Sequence, residues 1–299
     1  MRRQSAGPGL VDWLNANFRH WSLVPAVVVF VALGVYPMVN LLRMSVSTIE
    51  FRDGRELWSF TPGRNWEALF SDPGLGPTVV NTLVFVAAAV AVEMVVGLGL
   101  ALLVGGMTRG KGVMRTIMII PILVPPVAIG SMFKLMYNYD FGLFNQMLGA
   151  IGIGPVSWLG VPSLALWSVI LVDIWHWVPF VFLILFAAVE GLPREVLEAG
   201  RVDGATRWQL LWHVTLPLLM PAITVAFLFR SILAFKAFDE VFLLTGGGPG
   251  TSSELLSLHL FKVFFEQNQL GYGAMLSVFT IVGVLLLLAL GRTAAVATR

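Results

Sequence analysis

Residues 105–111, Gly-Gly-Met-Thr-Arg-Gly-Lys, have the G-x-x-x-x-G-K spacing of a loop that cradles phosphate. The next residue is Gly112, where such a loop needs a Ser or Thr to hold magnesium. The stretch also follows an apolar helical run and not a strand. It reads as a basic turn, and no ATP site is expected in this chain. His20, His176, His213 and His259 lack zinc-ligand spacing, and the absence of cysteine removes thiolate sites and disulfides. No nucleophile is paired with a base. Catalytic and metal-ligating residues are both expected to be none, so the chain does not read as an enzyme.

Recognition is the chemistry that remains. The segment 191–217, GLPREVLEAGRVDGATRWQLLWHVTLP, gathers Arg194, Glu195, Glu198, Arg201, Asp203 and Arg207 between two long apolar runs. Pro193 suits the first turn of a short helix covering Glu195 to Arg201, and Gly204 supplies a turn. Residues 205–213 read as a second short helix, with Thr215 as N-cap and Pro217 in the first turn of the run that follows. Ala199, Gly200, Gly204 and Ala205 allow another backbone to come close. Glu198 and Asp203 offer charge-assisted hydrogen bonds.

A second group of polar residues lies inside apolar runs, where ionisable side chains are expensive and often functional. Glu93, Lys134, Asp173, His176, Arg230 and Lys236 are the main examples. Mutual pairing inside a helix bundle is the alternative for them. Asp173, Trp175, His176 and Trp177 combine indole faces for the C–H surface of a sugar with acceptors for its hydroxyls. With Tyr137, Asn138, Asp140 and Arg230 they form a candidate substrate path. Core packing or an interfacial aromatic belt is the competing reading for the tryptophans.

These residues need a membrane scaffold. Of the 299 residues, 57% are hydrophobic and 12% charged, against about 25% charged in a soluble domain. The net charge of +2 and the lack of a basic run exclude nucleic acid as an expected partner. Six apolar segments approach the roughly 20 residues of a span, at about 21–45, 78–104, 116–137, 164–189, 216–235 and 272–290. The first is longer than a signal-peptide core and lacks a small-residue cleavage site, so it is expected to be retained. The expected fold is an all-α membrane protein with six transmembrane helices and a helix–turn–helix between spans four and five. Its parts are segment 1–20, a transmembrane domain 21–291 and a tail 292–299.

Basic residues set the orientation. One side receives Arg2, Arg3, Arg19, Arg109, Lys111, Arg115, Arg194, Arg201, Arg207, Arg292 and Arg299. The other receives Arg52, Arg55, Arg64 and Lys262. The first side is expected to be cytoplasmic, with both termini and segment 191–217. Pro121, Pro125, Pro126 and Pro179 interrupt spans three and four, as packing kinks or as breaks lining a cavity. The 245–250 stretch, TGGGPG, reads as a flexible turn, and 255–266 as an interfacial helix.

The 191–217 segment resembles the cytoplasmic signature of bacterial ABC-type import permeases. That signature is Glu-Ala-Ala, three residues, Gly, nine residues, then Ile-x-Leu-Pro. Here it appears as Glu198, Ala199, Gly200, then Gly204, then Val214, Thr215, Leu216, Pro217, with Gly200 for the second Ala and Val214 for Ile. Residues 114–148 and 244–277, and Asn81-Thr82 opening the second span, are similar to the MalF/UgpA-like sugar permeases. The likeness runs from about residue 21 to about 290.

The resemblance implies that the segment docks in a cleft of a cytoplasmic ATPase through Glu198, Ala199, Gly200, Asp203 and Gly204, with Arg201 and Arg207 as salt-bridge partners. It implies a second homologous permease, an ATPase dimer that carries ATP and magnesium, and an extracytoplasmic solute-binding protein. The expected activity is ATP-driven import of a sugar, oligosaccharide or polyol across the cytoplasmic membrane. Glycerol phosphate is the alternative substrate. An ion-coupled secondary transporter is the alternative mechanism, although the chain shows no internal repeat of the kind such proteins carry.

Overall fold

The computed structural model describes residues 18–297. The expected terminal segments, 1–20 and 292–299, lie wholly or partly outside the described residues, as do Arg2, Arg3 and Arg299. Among the described residues, five helices are long and apolar enough to cross a bilayer. A bent pair, Lys111–Leu123 and Pro126–Met136, makes a sixth if counted as one span. The helical spans therefore fall where the apolar runs put them: Val24–Ser45, Leu75–Gly105, the bent pair, Pro162–Glu190, Arg207–Leu244 and Leu270–Ala289.

The chain divides into two compact units. The first takes the residues up to Phe70 together with Asn268–Val278. It contains span one and a feature absent from the expectation, an antiparallel hairpin of β1 (Ser47–Arg52) and β2 (Arg55–Phe60). Asp53 and Gly54, both at positive φ (53° and 73°), form the two-residue turn. Asp-Gly is the dipeptide this turn favours, because glycine meets the positive φ without strain. Asn65 fastens the hairpin's start by donating from Nδ2 to the carbonyls of Ser45 (2.8 Å) and Ser47 (3.0 Å).

The second unit, Ser71–Gln267 with Phe279 onward, holds spans two to five. Spans two and four pack along their lengths. Gly97 makes this possible, since a Cβ there would lie 2.7 Å from a Val181 methyl. Around this seam lie two apolar clusters, one containing Phe85, Val90, Ile129 and Val169, the other Ala101, Val181, Phe182 and Leu185.

The prolines act differently in spans three and four. Span three turns through 90° between Leu123 and Pro126, where Val124 and Pro125 are extended. Proline biases the residue before it away from helix, and two in succession stop the run. Pro179, by contrast, lies inside the unbroken helix Pro162–Glu190.

Segment 255–266 is a helix, but not an interfacial one. Leu255, Leu256 and Leu258 are buried in the core cluster, so its first turns face protein, while Phe265 near its end is exposed. The preceding 245–250 loop is tied down. Ser253 Oγ donates to the Gly248 carbonyl at 2.7 Å and lies 2.7 Å from Thr245 Oγ1.

Candidate coupling surface and translocation path

The 191–217 segment starts with Pro193, which caps the helix Arg194–Val202 from outside its first turn. Glu195 in the first turn and Arg201 in the last have the signs the helix dipole favours. Gly204 ends the helix at φ +81°. Around it the Gly204 N–H donates to the Arg201 carbonyl (3.1 Å) and the Ala205 N–H to the Gly200 carbonyl (3.0 Å). This is a Schellman termination, which satisfies carbonyls that the helix end would leave bare and requires a left-handed residue at the position Gly204 fills.

The second helix begins at Arg207, two residues later than the sequence reading placed it. Thr206 is its N-cap and forms a capping box with Gln209. The Gln209 N–H donates to Thr206 Oγ1 (3.3 Å), and the Thr206 N–H donates to Gln209 Oε1 (2.8 Å). The expected cap at Thr215 is absent, because Thr215 is helical and the chain continues from Arg207 through Phe235. A π-turn at Leu211–Thr215 accommodates Pro217, which has no N–H for the carbonyl four residues back. The segment is thus one short helix and the N-terminal end of span five. The two meet where Gly200 faces Leu210, and a Cβ on Gly200 would lie 2.6 Å from a Leu210 methyl.

Glu198, Ala199, Arg201, Asp203, Gly204 and Arg207 are all exposed, and Gly200 is half-buried. Among the described residues, none of Glu198, Arg201, Asp203 and Arg207 forms an ion pair. Val202, 87% exposed, and the T-shaped pair Trp208 and Trp212 add apolar surface beside them. A charged, apolar-flanked surface held by its own turn and capping bonds is suited to another protein. The basic turn at 105–111 is neutralised locally, because Lys111 Nζ donates to Glu190 Oε1 at 2.7 Å.

The candidate path residues separate into two groups. Asp173, His176, Trp177 and Arg230 come together. Arg230, fully buried on span five, donates from Nη2 to Glu93 Oε1 of span two (2.9 Å) and to Asp173 Oδ2 of span four. Its Nε lies 2.5 Å from Glu93 Oε2, off the hydrogen-bond direction. Arg230 Cζ stands 5.1 Å from the ring centre of Trp177. His176 Nδ1 lies 3.0 Å from Glu240 Oε1, and both are buried. Pairing is therefore what these charges do in this conformation. Among the described residues, Arg230 Nε and Nη1, Glu93 Oε2 and Asp173 Oδ1 have no hydrogen-bond partner.

Tyr137, Asn138 and Trp175 lie elsewhere. Tyr137 is buried, donates to the Ser168 carbonyl (3.0 Å) and packs against Phe133, Phe144 and Trp158. Asn138 Oδ1 accepts the N–H groups of Asp140 and Phe141, closing the turn after span three. Trp175 is exposed, with its ring edge to Phe133. The sequence reading missed Glu240 and the capping box. Only the second had a local signal, Thr206-x-x-Gln209.

Comparison with known proteins agrees with this geometry. The trehalose/maltose transport system permease protein MalF of Thermococcus litoralis is 38% identical over 276 residues, 92% of each chain. The sulfoquinovosyl glycerol transport system permease protein SmoG of Agrobacterium fabrum is 33% identical, covering 91% of this chain and 89% of that one. A chain of a bacterial ABC transporter involved in import of the acidic polysaccharide alginate has the same fold, with TM-score 0.82, 20% identity and coverage of 96% and 98%. Residues 93–295 match the family described as binding-protein-dependent transport system inner membrane component. The chain belongs to that family, as a non-catalytic, multi-pass permease of the MalF-like carbohydrate ABC group.

Proposed function

We propose that this chain is the translocation subunit of an ATP-driven importer for a sugar, oligosaccharide or polyol. The observation that carries the reading is the exposed frame of 194–210, whose charges form no ion pair among the described residues. A cytoplasmic ATPase dimer, bearing ATP and magnesium, is the proposed occupant of that surface. A second homologous permease and an extracytoplasmic solute-binding protein complete the assembly. The Lys and Arg bias supports a cytoplasmic location for this surface and both termini.

The names of the relatives, which include trehalose, maltose and sulfoquinovosyl glycerol, support a carbohydrate. So does the buried interior. Arg230 is already matched by Glu93 and Asp173, which disfavours glycerol phosphate. The proposed path runs by Asp173, His176, Trp177 and Arg230, which lie together; Tyr137, Asn138 and Trp175, also expected on it, lie apart from that group.

Mechanically, the ATPase grips Glu198 to Gly204 with Arg201 and Arg207 as ion-pair partners. That helix bears on Leu210, which belongs to the same continuous helix as Arg230. Arg230 in turn holds spans two and four, so a displacement at the surface reaches three spans together. ATP binding shifts the population between two packings of those spans. The test is Glu198→Lys in the assembled transporter. ATP-dependent uptake and ATPase co-purification should both fall while the permease remains folded. Unchanged uptake and co-purification would remove the proposal.

A further inference from the structure

His259 bridges two carboxylates. Its Nε2 lies 2.7 Å from Asp72 Oδ2 and its Nδ1 lies 2.8 Å from Glu254 Oε1. A neutral imidazole has one N–H, so it would turn a lone pair toward one of those oxygens. Only the imidazolium donates to both. Asp72 is held for this role, because its Oδ1 accepts the Gly74 N–H at 2.7 Å in the turn before span two. Glu254 is held from the other side, with Lys262 Nζ donating to its Oε2 at 2.6 Å. The charged groups against His259 are thus Asp72 from the turn before span two, and Glu254 with Lys262 behind it from His259's own segment. Two positive and two negative charges balance only when the ring is protonated.

The cluster joins parts of the chain 187 residues apart. Neighbouring contacts strengthen the same seam. Asn81 Nδ2 of span two donates to the carbonyls of Thr251 (2.8 Å) and Glu254 (3.1 Å), and the Leu256 N–H donates to Thr82 Oγ1 (2.9 Å). Glu254 also shoulders the 245–250 loop, since a Cβ on Gly247 would lie 3.0 Å from the Glu254 side chain.

We propose that Asp72, His259, Glu254 and Lys262 form a proton-loaded clasp on the extracytoplasmic face, which fastens the 245–262 segment to span two and releases it in alkaline surroundings. Loss of the ring proton turns a bridge into two carboxylates facing one imidazole, and the loop that rides on Glu254 loses its support. Burial alone would lower the His259 value, but the hydrogen bonds to Glu254 and Asp72 outweigh it and lift it above the ordinary histidine range. Burial alone would raise the Glu254 carboxyl, but His259 and Lys262 hold it below its ordinary value. The clasp is complete below the His259 value and opens as pH rises through it. On the acid side it persists until pH falls through the lowered Glu254 value.

This inference rests on the orientation proposed above, and the experiment separates the two. The complete transporter is reconstituted in vesicles with ATP enclosed. Initial uptake is then measured from about pH 6 to about pH 9, varied on one side at a time. Uptake should fall on the alkaline side in response to external pH. His259→Gln should abolish that fall. Glu254→Gln should move its midpoint to lower pH by about one unit or more, and Lys262→Met should move it upward. Should His259→Gln fail to assemble, the opposed shifts of the other two variants carry the test. A pH-independent wild type, or a fall unmoved by all three variants, overturns the clasp. A fall that follows internal pH overturns its placement on the outer face while leaving the ATP-driven uptake itself intact.

Discussion

The exposed frame of residues 194–210 and the buried centre use the same residue types to opposite ends. At the frame, Glu198, Arg201, Asp203 and Arg207 are exposed and form no ion pair among the described residues, while a Schellman turn and a capping box hold the backbone between the two helices. At the centre, Glu93, Asp173 and Arg230 are withdrawn from solvent and paired across three spans. The frame keeps its shape without its charges, which leaves them available to another polypeptide. The centre depends on its charges, because a lone ion in that environment costs several kcal/mol.

The comparison can be broken by substitution. Arg230→Met carries the largest expected effect, about 3–5 kcal/mol of stability, since it strands two buried carboxylates. Thermal unfolding of the detergent-purified protein measures it. The triple variant Glu93→Gln, Asp173→Asn, Arg230→Met should recover much of the loss. If Arg230→Met is as stable as the parent, the centre is not held by its charges.

Next comes Glu198→Gln, which should leave the melting temperature unchanged and lower coupled uptake by about tenfold, equivalent to roughly 1.4 kcal/mol. A matching loss of melting temperature would show that Glu198 supports the fold. Gly204→Ala forces a Cβ into a left-handed residue, for about 1 kcal/mol, and should weaken uptake through misplacement of the frame. Thr206→Ala removes one side of the capping box. It should cost about 0.5–1 kcal/mol, with Thr206→Ser restoring it. Protection from hydrogen exchange of the Ala205 amide reports the Gly204 effect, and that of the Gln209 amide the Thr206 effect.

Much of this was legible because a bilayer imposes a length on apolar runs, and the six runs lie close to the helices observed. The signature residues were also legible, since Gly204 needs its left-handed turn for reasons contained in a few neighbours. Thr215 misled because a threonine before Leu-Pro has the form of a helix start. The π-turn that lets the helix run through Pro217 leaves no comparable mark. The hairpin was passed over between two spans, although Asp53-Gly54 is a strong local signal. The partners of Arg230 could not be read, because Glu93 lies 137 residues away and only the packing of spans two and five brings them together. The same holds for His259 and Asp72.

The right angle in span three carries a separate consequence. Where a helix breaks within an apolar run, carbonyls near its end lose their usual helical partners, and Pro125 and Pro126 bring no amide hydrogens to replace them. The two stubs also present helix ends of opposite partial charge at a single corner. Hydrocarbon is a poor neighbour for such a place. Whatever abuts residues 124–126 in the working transporter, whether water or polypeptide, must be able to answer a bare peptide bond, and so that corner marks where lipid gives way.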